Sequence, residues 1–245
     1  MKLLRIVLVV ILVCVQFSNV FAQMSGGFEG SRQNIINLNQ MIGLPTDALG
    51  KDAYIDVEGS PYLYSFFTKC FIEFNDGKMF IGPMVRFNVT NQKLHYQGAN
   101  DVELVLQDGV IKRFSFFIPS GKDSINYIFG CGYPAISTNS IYTFYQEYNV
   151  GTASLLRFIN KTVVERKTSA NINPYKKFSE ASIYYVYNAR YKKIEKWRKG
   201  KEFLLEMLFD KQDVVNRFMN DNKLSSKSPE EAIKVIQFYN NLKAE

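Results

Sequence analysis

The stretch Arg190 to Lys201, RYKKIEKWRKGK, holds seven basic residues among twelve, with Tyr191 and Trp197 interleaved. Cations set between aromatic rings can grip anionic sugars, stack on bases or sit at a membrane interface, because the ring adds an apolar face to the electrostatic one. The candidate partner-contact residues are therefore Arg190, Tyr191, Lys192, Lys193, Lys196, Trp197, Arg198 and Lys199. Charge runs are usually solvated faces, so the plainer reading is a basic junction between the last strand and a helical tail, with Trp197 anchoring it to the core.

Acid–base chemistry has few other places to start. His95 is the only histidine, and a general base also needs a nucleophile and an orienting acid beside it. In the alternation of Lys93-Leu94-His95-Tyr96, Leu94 and Tyr96 share one face and His95 the other, which predicts an ordinary surface or half-buried histidine. Asp101 and Glu103 fall two apart on one face of a predicted strand, within the spacing that glycosidase carboxylates use. Acids that keep a strand's outer face soluble have the same spacing. Hydrolase motifs of the GxSxG, HExxH and SxxK types are absent, as are the phosphate-cradling glycine loops. With one histidine and no CxxC, neither a structural metal nor a cofactor is implied. The clusters Tyr184-Tyr185-Val186-Tyr187 and Tyr142-Thr143-Phe144-Tyr145 have the composition of a sugar-binding face, but strand propensity and core packing account for them equally.

The first residues read as an address. Lys2 and Arg5 precede an unbroken apolar run from Ile6 to Val15, and Val20 and Ala22 stand at −3 and −1 of a cut before Gln23. That is the pattern of a cleavable signal peptide over residues 1–22. The run is too short for a spanning helix of roughly 20 apolar residues, so no transmembrane span is expected in the mature chain. The expected compartment is the periplasm, the outer-membrane surface or the exterior. There one disulfide between Cys70 and Cys131 is plausible, with two free buried thiols as the alternative. Charge is uneven: residues 23–150 carry 9 Lys/Arg and 12 Asp/Glu, and residues 151–245 carry 19 and 11. In an exported protein a basic C-terminal part favours anionic polysaccharide, lipopolysaccharide or another envelope protein as partner, and nucleic acid is not expected.

The elements that must position these residues are mainly strands. Residues 23–60 form a polar arm, in which Asn34 to Ile42 has the pattern of a short helix. Asp76-Gly77 and Asp108-Gly109 are tight-turn pairs between alternating runs, Lys69 to Asn75 with Lys78 to Ile81, and Val102 to Gln107 with Val110 to Ile118. Further runs are Met84 to Val89, Lys93 to Gln97, Asn126 to Phe129, Ile141 to Tyr148, Ala153 to Asn160, Thr162 to Lys167 and Ile183 to Asn188. From Lys201 the period becomes helical: Phe203, Leu204, Met207 and Leu208 make one stripe, and Val214, Val215, Phe218 and Met219 another. Ser228, Pro229 and Glu231 mark the start of the last helix as a capping box. The expected fold is α+β: an antiparallel β-rich body over residues 61–188, as a meander, sandwich or partly closed barrel, followed by a basic junction and two or three helices over 189–245.

Gly59-Ser60-Pro61-Tyr62-Leu63, Val85-Arg86-Phe87-Asn88, Ser154-Leu155-Leu156 and the stretch from Phe203 to Leu242 resemble an uncharacterised exported family of Bacteroidota-type bacteria. The resemblance implies export, a β-rich body and a helical tail, and no activity. The expectation is a non-enzymatic contact or binding protein of the cell envelope, with a carboxylate-dependent hydrolase of polysaccharide or peptidoglycan as the alternative.

Overall fold

A computed structural model describes residues 44–45, 54–120, 123–168 and 171–242. The signal peptide expected over residues 1–22 and the helix expected over Asn34 to Ile42 lie outside them. The strands are β1 (Leu44–Pro45), β2 (Val57–Glu58), β3 (Thr68–Phe74), β4 (Met79–Asn88), β5 (Lys93–Gln97), β6 (Glu103–Val105), β7 (Ile111–Ser120), β8 (Asp123–Gly130), β9 (Tyr145–Glu147), β10 (Ala153–Thr168), β11 (Asn171–Asn188) and β12 (Lys193–Lys196). Three helices follow: α1 (Lys201–Met207), α2 (Gln212–Asp221) and α3 (Pro229–Asn241). The fold is α+β, as the sequence predicts.

All the strands join one open sheet in the order β1-β6-β5-β4-β3-β7-β8-β9-β10-β11-β12, with β2 alongside β11. Every pairing is antiparallel except β2 with β11. The order is not a simple meander. β3 to β6 run outward in sequence, and β7 then returns to the far side of β3. A flat sheet would hold β6 about 19 Å from β7, too far for a short link with a tight turn at Asp108-Gly109. The sheet therefore curls without closing into a barrel. The concave side receives Val85 and Phe87, Leu94 and Tyr96, and Phe114 and Phe116. Phe87, Phe114 and Phe129 pack there with ring centroids 5.1–5.2 Å apart. The intervening Arg86 and His95 point to the convex side.

β10 and β11 are far longer than the runs read from the sequence. They pair from Ala153↔Asn188 out to Arg166↔Tyr175, without a break at Asn160-Lys161. The first half of β11, NINPYKKFSEAS, lacks apolar alternation because its ladder, rather than burial, keeps it extended. Nearer the body both faces are covered. Ala153, Leu155 and Val186 pack under the helices, and Leu156 and Tyr185 pack under Tyr133, Ile136 and Tyr145.

Past residue 188 the sheet gains one more strand, as Lys193–Lys196 forms β12 beside β11. The basic stretch is thus partly the edge of the sheet rather than a junction outside it. Its lysines hid a strand, since edge strands carry charge that discourages further pairing. Among the described residues no helix is long and apolar enough to cross a membrane.

Helix docking uses polar side chains as well as the apolar stripes. Ser228 caps α3 by accepting from Glu231 N–H at 3.3 Å. The Glu231 carboxylate reaches further back than a capping box requires, to the N–H groups of Ser225 and Lys227 at 2.9 and 3.2 Å. Asn240 on α3 imitates a neighbouring strand, since its amide both accepts from Ala153 N–H and donates to Ala153 C=O at 2.8 Å. Gly151 makes room, because a Cβ there would meet the Asn240 amide at 2.6 Å. Asn240→Ala leaves both Ala153 groups unpartnered and is expected to cost about 2 kcal/mol. The urea midpoint should fall accordingly, and an unchanged midpoint would show that this contact does not hold the helix to the sheet.

Candidate functional site

On the convex side, the ladder sets Arg86 opposite His95 and Gln97 opposite Glu103. Three polar side chains from β4, β5 and β6 therefore rise side by side. Glu103 accepts from Arg86 Nε at 3.1 Å and Nη2 at 2.6 Å, and from His95 Nδ1 at 2.7 Å. The Tyr62 hydroxyl donates to it at 3.2 Å. The Arg86 guanidinium lies 3.8 Å from the Tyr62 ring centroid and 4.7 Å from that of Phe67. Tyr62 is held over the cluster by its bridge to Asn88. This segment buries His95 to 5 % exposure, where the sequence predicts a surface or half-buried residue.

Burial alone would raise the Glu103 pKa. The hydrogen bonds from His95 and Arg86, with the Arg86 charge, outweigh it and hold the pKa at about 2. His95 Nε2 is buried with no hydrogen-bond partner. The cluster contains the orienting half of an acid–base dyad, but nothing described lies within bonding reach of the nitrogen that would take the proton. Asp101 and Glu103, whose spacing the sequence left open to either a carboxylate pair or ordinary solvent-face acids, are engaged separately. Asp101 accepts from Gln97 at 2.7 Å on the exposed turn, while Glu103 is drawn into the Arg86 clamp.

A second cluster crosses β3, β7 and β9. Arg113 donates to Glu147 Oε2 at 2.7 Å and to Glu73 Oε2 at 3.1 Å. It reaches Glu147 over Gly130, where a Cβ would stand 2.1 Å from Glu147 Oε1. The Tyr133 hydroxyl also donates to Glu147, and Lys112 binds Glu73 at 2.6 Å. The Glu147 side chain is 1 % exposed. Burial and the Glu147 charge push the Tyr133 phenol up and the neighbouring Cys131 thiol up to about 11.

The disulfide considered from the sequence is not formed: Cys70 and Cys131 are both free thiols. Cys70 pairs opposite Phe116 on β7, whereas Cys131 N–H bonds Lys112 C=O on that strand's other side. Four residues along β7 amount to about 13 Å, well beyond the span a disulfide bridges.

The basic segment divides into engaged and free residues. Arg190 pairs with Asp210 at 2.9 Å, Lys193 with Glu195 at 2.8 Å, and Arg198 with Glu206 at 3.3 Å. Trp197 packs against Tyr184 and joins the helical core. Lys192, Lys196 and Lys199 are exposed and make no ion pair among the described residues. Tyr191 stacks on Phe209 with centroids 4.5 Å apart; the two are 42 % and 50 % exposed. In the other tyrosine clusters Tyr145 and Tyr185 sit in one buried layer and Tyr184 packs under the helices, while Tyr142 is exposed.

Sequence reasoning missed Arg86, Tyr62, Arg113, Glu147 and Phe209. The strand alternation placed Arg86 outward with His95 across a neighbouring hairpin, a signal that register alone would have completed. Compared with protein-family models, with curated proteins and with solved structures, the chain matches none.

Glu103 makes stability depend on pH. Its folded pKa of about 2 lies below the ordinary value of about 4.3. Its contribution is therefore complete above the ordinary value and is lost as pH falls through the folded one. Urea midpoints followed down to pH 2 should fall more steeply for the wild type than for Glu103→Gln. Parallel curves would contradict the clamp.

Proposed function

We propose that the protein is an exported, non-enzymatic contact protein of the cell envelope that offers the basic rim around β12 to an anionic partner. The observation that carries this reading is the set of exposed, unpaired Lys192, Lys196 and Lys199 beside the exposed Tyr191–Phe209 pair. Cations next to an accessible aromatic face suit an anionic polysaccharide or the phosphorylated sugar of lipopolysaccharide.

The charge distribution weighs against carboxylate-dependent hydrolysis. A general acid at neutral pH needs a raised pKa, whereas among the described residues each acid whose proton affinity is shifted, Glu73, Asp76, Glu103, Glu230 and Glu231, is shifted down. The acid nearest to total burial, Glu147, is held by Arg113 and Tyr133 rather than opened to a cleft. Within the β body, the cavity beneath the β6–β7 turn measures about 10 Å³, room for a water molecule; the larger hollow of about 410 Å³ is an open groove between α2 and α3, beside Phe218 and Phe238.

The test is binding of the purified protein to lipopolysaccharide-containing vesicles and to isolated cell-wall sacculi at low and high salt. The wild type should bind at low salt and release at high salt. Combined Lys192→Glu, Lys196→Glu and Lys199→Glu should weaken binding at least about tenfold, a change of about 1.4 kcal/mol, with an unchanged circular dichroism spectrum. Binding that ignores both salt and the triple substitution, or no binding at all, rejects the reading.

A further inference from the structure

The backbone groups of odd-numbered β10 residues point away from β11, and the body covers the first of them in turn. Asn240 takes Ala153, the Tyr148 N–H takes Leu155 C=O at 3.1 Å, β9 pairs with Arg157, and Gln92 Nε2 takes Ile159 C=O at 3.2 Å. The next outward residues, Lys161, Val163 and Glu165, have no backbone partner on that edge among the described residues. The ladder with β11 is regular there, its one irregularity coming between Arg166 and Thr168. Val163, at its middle, is 39 % exposed. An extended strand held by its hairpin, with one free row of N–H and C=O groups, is a template for another strand.

We propose that the edge pairs with a second copy of this chain, β10 against β10, antiparallel about a two-fold axis at Val163. The sequence of the edge is self-complementary in that register. Val163 faces Val163, and Lys161, whose ammonium within its own chain donates to Tyr62 C=O and lies 3.9 Å from Glu180, faces Glu165 of the other copy on both sides of the axis. All three are outward residues, so each facing pair exchanges hydrogen bonds. Sliding the copies one way sets Lys161 against Lys167. Sliding them the other way sets Glu165 against Ile159, whose carbonyl Gln92 already holds. Opposite charges across strands stabilise and like charges oppose pairing, so charge selects the register centred on Val163. A two-fold contact uses the same patch from each chain and closes at a dimer. The strand is already ordered by β11, so little conformational freedom is lost on pairing.

The experiment is light scattering of the purified protein over a wide concentration range. The wild type should reach twice the single-chain mass. Val163→Pro removes an N–H that the hairpin does not use, so the circular dichroism spectrum should persist while the dimer is lost. Glu165→Lys and Lys161→Glu each set like charges opposite one another twice, and should weaken the dimer at least about tenfold. Mixing these two variants sets opposite charges across the axis again at both facing pairs, and should restore dimers. A wild type that stays monomeric at every concentration overturns the proposal, as does a dimer indifferent to Val163→Pro. A mixture that fails to re-associate overturns the register.

Discussion

The antiparallel pairing of β10 with β11 enters every other part of the structure. Over a few residues, Leu155 and Val186 lie in the helical core, Leu156 and Tyr185 lie in the tyrosine layer beneath Tyr133, and Ile159 reaches the aromatic core of the curled sheet. Because successive side chains alternate between faces, one hairpin serves all three apolar clusters without a linker between them. The helices would otherwise be too short to persist, since segments of this length draw their stability from packing. Their polar ties go to the same two strands: Asn240 to Ala153, and Asn188 to Met207 C=O at 2.9 Å.

That arrangement also decides where charge can act. Arg86 is committed to Glu103, Arg113 to Glu147 and Glu73, and Arg190 to Asp210, which also accepts from the Tyr239 hydroxyl at 2.9 Å. Each of these arginines joins separate strands or ties the end of a strand to the helices, and the carboxylates it binds are shielded from solvent to differing degrees. On the convex side such clamps fasten strands of the sheet to one another. The lysines, longer and more strongly hydrated, are what remains free at the rim of β12, so the proposed contact is electrostatic and its partner anionic.

The chain shows much of its fold openly. Alternation at Val85-Arg86-Phe87 and Leu94-His95-Tyr96, the Asp76-Gly77 hairpin and the Ser228 start of α3 are local signals that the structure keeps. The strands on either side of Asp108-Gly109, by contrast, do not pair with each other, since β6 lies beside β5 and β7 beside β3. The return of β7 to β3 is not local, because nothing in Asp108-Gly109 says which strand comes next. Long-range ladders also hid the outer half of β11, which is extended by pairing and carries no buried pattern. The candidate site was legible in the same uneven way. Lys192, Lys196 and Lys199 were visible as charge, but which cations are free depends on Glu195 within the segment and on Glu206 and Asp210 arriving from the helical part of the fold. His95 and Glu103 were visible as residue types, and their burial depends on Tyr62, which closes over them from outside the three strands.

The most direct test of the shared-hairpin account is native-state hydrogen exchange under rising urea. If β10 and β11 bind the two main cores into one unit, amides of Phe114 and Phe116 in β7, Leu155 and Leu156 in β10, and Val235 and Ile236 in α3 should converge on one opening free energy. Helical amides that exchange through a separate, earlier opening, while β7 and β10 stay protected, would contradict it.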